Sequence, residues 1–332
     1  MIISRTPFRI SFFGGGTDYP AFYEEHGGAV LSTSINKYCY VICRYLPPFF
    51  DCNYRIRYRK QEEVKSISEI EHPAVRECLG FINLEQGVEI QHNADLPAMS
   101  GLGSSSAFTV GLLNALHALQ GKMITKRQLA LDAIHVEQDR IKENVGSQDQ
   151  TVAAFGGFNK IEFGGPQKIA VHPVMLPQGK LELLQNHLML FFTGFPRNAS
   201  EIAGEQVRKT PENRNELKTM MSMVDEALRT LNGSEERLID FGKLLHESWM
   251  LKRGLTQRIT NPSIDEIYQA GMGAGAAGGK LLGAGGGGFM LFFVKPVLQP
   301  IVKEKLGKLL HVPFKFHNLG SQIIYYAPEE NF

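Results

Sequence analysis

A loop rich in glycine and serine, Asp95-Leu96-Pro97-Ala98-Met99-Ser100-Gly101-Leu102-Gly103-Ser104-Ser105-Ser106-Ala107, runs straight into an apolar, helix-periodic segment at 108–119. Few features constrain a fold as tightly. Glycines at 101 and 103 let the backbone turn its N–H groups on an anion, and the N-terminus of the following helix adds positive potential. Three consecutive hydroxyls add donors and a candidate metal ligand. The loop lacks the Gly-Lys-Ser/Thr ending of the common nucleotide hydrolases, so it is a phosphate cradle of another kind. The plainer alternative is a serine-capped helix after a turn.

A chain of 332 residues suits two packed domains rather than one small one. The proline- and glycine-bearing stretch at 166–186 is the expected boundary, giving domains at 1–180 and 181–332. Apolar residues at 43% and charged residues at 21% are ordinary for a globular protein. A net charge of +1 supplies no global field for nucleic acid or an anionic membrane, so neither is an expected partner. The basic run Arg55-Ile56-Arg57-Tyr58-Arg59-Lys60 alternates charged and mostly apolar residues as a half-exposed strand does. The chain opens without a signal-peptide pattern and has no apolar run of membrane-spanning length, so it reads as cytoplasmic. Cys39, Cys43, Cys52 and Cys78 lack paired metal spacing and read as reduced thiols.

Strands are expected at 2–13, with Pro7 marking an edge or a bend, and at 38–45, 88–92 and 158–163. Helices are expected at 73–79 and 104–120. Thr125 with Gln128 forms a capping-box signature for a helix reaching Lys142, and Ser147 with Gln150 repeats it for a short helix ending at Gly156. After the boundary come a strand at 187–193 and a helical stretch at 199–255, broken near Pro211 and Gly233. Asn261-Pro262 caps a helix to Ala270. The remainder reads strand 280–282, glycine turn, strand 289–294, helix 297–310 and strand 321–326. Strand, helices, strand, strand, helix, strand is the ferredoxin-like order.

Two glycine runs, at 273–278 and 283–288, satisfy G-x-G-x-x-G. A dinucleotide fingerprint needs a strand before it and a helix after it. The first run follows a helix and the second leads into a strand, so neither qualifies. Three further clusters carry chemistry. At the N-terminus, a strand delivers Arg9, Gly14-Gly15-Gly16 permits close approach, and Thr17-Asp18 presents polar groups suited to vicinal hydroxyls; the alternative is an Asx-capped turn. Around 135–150, Glu137 lies on a helix and Asp149 falls in the first turn of the next one. A helix N-terminus favours an anionic carboxylate, which suits a group that orients a hydroxyl and accepts its proton late; simple dipole compensation is the alternative. Lastly, Lys280-Leu281-Leu282-Gly283-Ala284-Gly285-Gly286-Gly287-Gly288-Phe289 places glycines between two apolar strands, at a close approach or in a loose hairpin.

Arg5-x-Pro7-x-Arg9 in a strand, Pro97-x-x-x-Gly101-Leu102-Gly103-Ser104-Ser105, and Gly283-x-Gly285-Gly286-Gly287 occur in the order of the three motifs of the GHMP kinases. The chain resembles that superfamily, which includes galactokinase, homoserine kinase, mevalonate kinase and phosphomevalonate kinase, over nearly its whole length. Within it, the wording at 12–19, 27–32 and 35–38 is similar to the D-glycero-D-manno-heptose 7-phosphate kinases. Met99 departs from the superfamily, where glycine is frequent.

The resemblance implies an α+β, two-domain GHMP kinase fold. Its N-terminal mixed α/β domain has ribosomal-protein-like βαβ topology, and its C-terminal domain is ferredoxin-like. It also implies ATP and a sugar phosphate as substrates, Mg²⁺ as cofactor, and allows a homodimer. Carried over position by position, Pro97, Ser100, Gly101, Leu102, Gly103, Ser104, Ser105 and Ser106 would cradle the ATP phosphates, and Ser105 with Glu137 would ligate Mg²⁺. Asp149 would take the proton of an anomeric hydroxyl, and Arg9 would stand beside it to stabilise the transferring phosphoryl group. Gly15, Gly16, Thr17 and Asp18 would line the sugar site, and Gly285, Gly286 and Gly287 would close it from the second domain.

The implied reaction is phosphorylation of heptose 7-phosphate to the 1,7-bisphosphate, in nucleotide-activated heptose synthesis for a bacterial surface glycan. Lys37, Arg197, Lys252, Arg253 and Arg258 are candidates for gripping the substrate's phosphate, and by fold analogy the segment 45–72 contributes to the adenine pocket. The alternatives are an anomeric kinase for an unphosphorylated sugar such as fucose or galactose, and a non-catalytic sensor of the same fold.

Overall fold

The computed structural model describes residues 1–84, 86–164, 168–194 and 199–327. In chain order the first half comprises β1 (Ile2–Phe13), α1 (Pro20–His26), β2 (Gly28–Tyr45), β3 (Tyr54–Arg57), β4 (Gln61–Val64), α2 (Pro73–Ile82) and β5 (Val88–Ala94). These are followed by α3 (Ser104–Leu119), α4 (Lys126–His135), α5 (Gln148–Phe155), β6 (Phe158–Phe163) and β7 (Ile169–Pro173). The second half holds α6 (Gln178–Asn186), β8 (Leu188–Phe192), α7 (Ala199–Arg208), α8 (Arg214–Asn232), α9 (Leu238–Gly254) and α10 (Pro262–Gly273). It ends with β9 (Gly278–Leu281), β10 (Phe289–Phe293), α11 (Gln299–Lys305), β11 (Leu310–His311), β12 (Phe316–His317) and β13 (Gln322–Tyr326).

A large mixed sheet runs β13-β1-β2-β5-β3-β4, with β6 and β12 also on β2 and β7 on β6. β3 and β5 are parallel, with β4 and α2 between them in the chain. β1 lies between β13 and β2, and β2 also pairs β5, β6 and β12. β13 covers β1 only from Ile2 to Arg5, and the β1–β2 ladder shifts register between Pro7 and Arg9. A proline cannot donate to a ladder, so it sits where pairing lapses, and the irregularity re-aims the next side chains, Arg9 among them. The helix after the glycine loop, α3, is buried along most of its length against β1 and β2.

The second sheet runs β11-β8-β10-β9, all antiparallel, which is the 4-1-3-2 order of a ferredoxin-like unit. Its fourth strand is the two-residue β11, not the expected strand at 321–326. That segment forms β13 and returns to the first sheet. Two residues carry no readable strand signal, whereas Gln322–Tyr326 is a β-branched and aromatic run, so sequence pattern favoured the wrong partner. The two halves share apolar core: Phe12 and Phe13 on β1 meet Phe241 on α9 edge-on at 5.5 and 5.1 Å.

Two helix starts differ from expectation. Thr125 caps α4, its hydroxyl accepting from Gln128 N at 3.2 Å, but the Gln128 side chain turns to Asp132 instead of closing the box. Ser147 makes no cap at all, because its hydroxyl is engaged by Gln138 and Tyr23 and the Gln150 side chain points to Glu137. The helix expected to reach Lys142 changes to a π-helical turn, Val136–Arg140, which carries Glu137. Such turns recur at functional sites. The basic run at 55–60 is a solvated strand region, with Arg55 paired to Glu63 at 2.9 Å and Arg57 to Glu89 at 3.2 Å. All four cysteines are free, and burial pushes the Cys43 thiol up to about 12. No helix among the described residues is long and apolar enough to cross a membrane.

Candidate active site

A cleft opens where the end of β1, the loop at 14–18, the glycine-serine loop, the start of α5, the end of α9 and the β9–β10 loop converge. Arg9 is buried at its centre. Its Nε and Nη2 donate to Asp149 Oδ1 and Oδ2 at 2.7 and 2.8 Å, and its Nη1 donates to the Gly101 carbonyl at 2.7 Å. This two-pronged pair fixes the plane of the carboxylate. A second chain of contacts supports it: Ser11 Oγ donates to Gln148 Oε1 at 2.7 Å, and Gln148 Nε2 to Asp149 Oδ1 at 3.3 Å.

The glycine-serine loop has the geometry of an anion nest. φ is positive at Met99, Gly101 and Gly103, every second residue, and Gly103 caps α3. That alternation turns neighbouring N–H groups the same way. Met99 therefore occupies a position that glycine fills without strain. Met99, Gly101, Gly103, Ser104, Ser105 and Ser106 line the cleft. Pro97 is exposed outside it, Ser100 is buried beneath it, and Leu102 is in the core with its carbonyl holding Arg9 N at 3.1 Å.

The glycines between β9 and β10 do not meet open space. A Cβ on Gly101 would fall 2.5 Å from the Leu282 carbonyl oxygen, and one on Gly283 2.5 Å from Gly101 Cα. The two glycine loops thus pack backbone to backbone, joining the halves of the protein behind the cleft. Gly283 and Ala284 line the cleft, whereas Gly285, Gly286 and Gly287 do not; Gly286 N donates to the Ile259 carbonyl at 2.8 Å.

Gly15, Gly16 and Asp18 line the cleft on the other side. Asp18 accepts from Gly16 N at 2.9 Å, and its Oδ2 occupies the space where a Cβ on Gly146 would lie, 1.9 Å away. Burial, and then the neighbouring charge of Asp149, raise the Asp18 pKa above its usual value. Thr17 faces the scaffold, its hydroxyl donating to the carbonyls of Gly14 and Ala29 at 2.8 and 3.0 Å.

Glu137 is buried behind the serines. Its Oε2 accepts from Ser106 Oγ at 2.8 Å and from Gln150 Nε2, while its Oε1 accepts no hydrogen bond among the described residues. Burial raises it to about 7. Among the three loop serines it is Ser106 whose hydroxyl reaches Glu137, and Ser105 is exposed in the cleft. Lys252 and Lys280 line the cleft as well. Of the other basic candidates, Arg253 is paired with Asp265 at 2.8 Å and Arg258 with Glu205 at 3.2 Å, Lys37 is not in the lining, and Arg197 lies outside the described residues. Sequence reasoning missed Ser11, Gln148, Ser106 as the partner of Glu137, and Lys280. The available signals were Gln148 adjoining Asp149 and a lysine set among apolar strand residues.

Comparisons with known proteins identify the family. Residues 66–157 match the model described as GHMP kinases N terminal domain, and residues 223–311 match GHMP kinases C terminal, together more than half of the chain. The chain is 29% identical to D-glycero-alpha-D-manno-heptose 7-phosphate kinase of Campylobacter jejuni, over 89% of this chain and 90% of that protein. It is 24% identical to the bifunctional fucokinase/GDP-fucose pyrophosphorylase of Arabidopsis thaliana over 87% of this chain, and spans 29% of that longer protein. A crystal structure of a D-glycero-D-manno-heptose 1-phosphate kinase from Bacteroides thetaiotaomicron matches with a TM-score of 0.76 at 24% identity, covering 98% of this chain and 99% of that one, a likeness of fold.

Proposed function

The chain belongs to the GHMP kinases and is a sugar kinase, and from that premise we propose that it transfers a phosphoryl group from ATP to the anomeric hydroxyl of D-glycero-D-manno-heptose 7-phosphate. The product is the 1,7-bisphosphate, and the step serves nucleotide-activated heptose synthesis for a bacterial surface glycan. The observation that carries this reading is the Arg9–Asp149 pair, held between an anion nest and an acceptor loop.

In our reading the nest at 99–103, the N-terminus of α3 and the hydroxyls of Ser104, Ser105 and Ser106 hold the ATP phosphates. The sugar lies against Gly15, Gly16 and Asp18, with its anomeric hydroxyl facing Asp149. That oxygen attacks the γ-phosphorus, its proton passes to Asp149, and the bond to the β–γ bridging oxygen breaks to release ADP. Arg9 orients Asp149 and stabilises the charge that spreads over the transferring oxygens. Ser11 and Gln148 keep the carboxylate in place. Pro97, Ser100, Leu102 and Thr17 act through the backbone shape of the two loops. Gly285, Gly286 and Gly287 act by seating the β9–β10 loop against Ile259.

Mg²⁺ fits the residues present. Glu137 Oε1 is buried and accepts no hydrogen bond among the described residues, and Ser106 Oγ stands on its other oxygen. No cluster of three or more metal-ligating side chains occurs among the described residues, which suits an ion held largely by phosphates and water. Glu137 and Ser105 would hold it, and the bound ion would neutralise the β- and γ-phosphates.

A coupled ADP-release assay across sugars and sugar phosphates tests the assignment. Heptose 7-phosphate should give the highest kcat/KM. A higher value for free fucose or galactose would move the assignment to the unphosphorylated-sugar alternative, and no turnover with any sugar would favour the sensor.

A further inference from the structure

Two buried lysines stand in the cleft without a carboxylate partner among the described residues. Lys252, near the end of α9, and Lys280, on β9, line it at 6% and 2% exposure. Lys252 Nζ donates to the carbonyls of Leu281, at 3.2 Å, and Gly283. Lys280 Nζ donates to the Phe12 carbonyl at 2.7 Å. Each ammonium therefore keeps at least one N–H without an acceptor. Carbonyl dipoles solvate such groups but leave their charge uncancelled, and burying an uncancelled charge is costly.

The charges of Asp18 and, for Lys252, of Asp149 favour the ammonium forms but do not outweigh burial. Asp149 is committed to Arg9 through both oxygens, and Asp18 is held by Gly16 N. A third carboxylate in the lining, Glu143, forms no ion pair with either lysine among the described residues. Burial and then the charge of Arg9 lower Lys252 to about 8, and burial followed by Lys252 holds Lys280 well below the usual lysine range. An anion between them would reverse both effects.

The position of the pair selects the anion. The γ-phosphate of ATP already has the nest, the α3 N-terminus and Arg9. Both lysines instead come from the second half of the chain, and Lys280 reaches the strand end that leads into the acceptor loop at 14–18. We propose that Lys252 and Lys280 form the seat for the phosphate group that the sugar acceptor already carries. This rests on the sugar-phosphate reading above and names the groups that enforce it. A free sugar would leave both ammonium groups uncompensated, which is how the site rejects it.

The test is calorimetric titration of the wild type, Lys252→Met and Lys280→Met with heptose 7-phosphate, free heptose and the non-hydrolysable ATP analogue AMPPNP. The wild type should prefer the phosphorylated sugar by about 10-fold or more. Each variant should lose most of that preference, while free heptose and AMPPNP bind within about 2-fold of wild type. Lys280→Met also removes the tether to Phe12, so Lys252→Met decides if Lys280→Met fails to fold. Inorganic phosphate titrated into the wild type provides a readout free of variants: it should compete with heptose 7-phosphate and not with AMPPNP. A preference that survives in variants still binding AMPPNP would overturn the seat. So would equal losses for both sugars, or a loss confined to AMPPNP, which would assign the lysines to the transferring phosphoryl group. A wild type indifferent to the sugar's phosphate would instead refute the substrate reading, and the seat with it.

Discussion

Gly101→Ala strikes the seam between the two halves of the site. Gly101 has a φ of +81°, and an L-residue held in that region costs about 1–2 kcal/mol. Its new Cβ would stand 2.5 Å from the Leu282 carbonyl oxygen, where ordinary contact begins at 3.4 Å. The two loops must therefore part by about 1 Å, carrying with them the carbonyl that Arg9 binds. A misplacement of about 1 Å at a reacting centre costs on the order of 100-fold in rate. Gly121 is the matched control, with a φ of +70° and nothing within 4 Å of where a Cβ would stand. Both alanine variants should lose about 1–2 kcal/mol in urea unfolding from backbone strain. Gly101→Ala should lose a further ~1–3 kcal/mol from overpacking, and its kcat for ADP release should fall about 100-fold. Gly121→Ala should keep kcat within about 2-fold. Two variants indistinguishable in both readouts would refute the seam between glycine loops.

Asp149→Asn should lower kcat by about 100- to 10,000-fold while AMPPNP affinity stays within about 2-fold; a near-wild-type rate would remove Asp149 from the chemistry. Glu137 is raised from 4.5 to about 7, so its contribution to stability is fully present below pH 4.5 and is lost as pH rises through 7. Glu137→Gln should match the nucleotide- and metal-free wild type at pH 4.5 and exceed it by about 3 kcal/mol above pH 7. Parallel stability-versus-pH curves would show that burial does not disfavour that charge. Met99→Gly, relieving a φ of +57°, should stabilise the protein by about 0.5 kcal/mol with AMPPNP affinity retained; a clear loss of stability would mean the Met99 side chain is needed there.

The parts of the site that were legible in the sequence are those written into short contiguous stretches. The loop at 97–106 and the loop at 14–18 announce themselves because close backbone approach demands glycine, and Asp149 because it sits at a helix start. Contacts between distant segments were not legible. Ser105 and Ser106 are adjacent hydroxyls, and only the rotation of α3 decides that Ser106 faces Glu137. The Ser147–Gln150 pair has the spacing of a capping box, yet Tyr23, Gln138 and Glu137 compete successfully for both side chains. Lys280 reads as a strand residue until the fold brings Phe12 and the cleft to it. The ferredoxin-like order was readable from element sequence, but its two-residue closing strand was not. The return of β13 to β1 depends on pairing across nearly the full chain length, which local pattern does not encode.

The most direct test of the central claim is to identify the product. Wild-type protein is incubated with ATP and D-glycero-D-manno-heptose 7-phosphate, and the sugar is examined by phosphorus NMR. A second phosphorus resonance coupled to the anomeric proton should form in step with ADP, and at least about 100-fold more slowly with Asp149→Asn. ADP formation without that resonance, or phosphate at another hydroxyl, would contradict it.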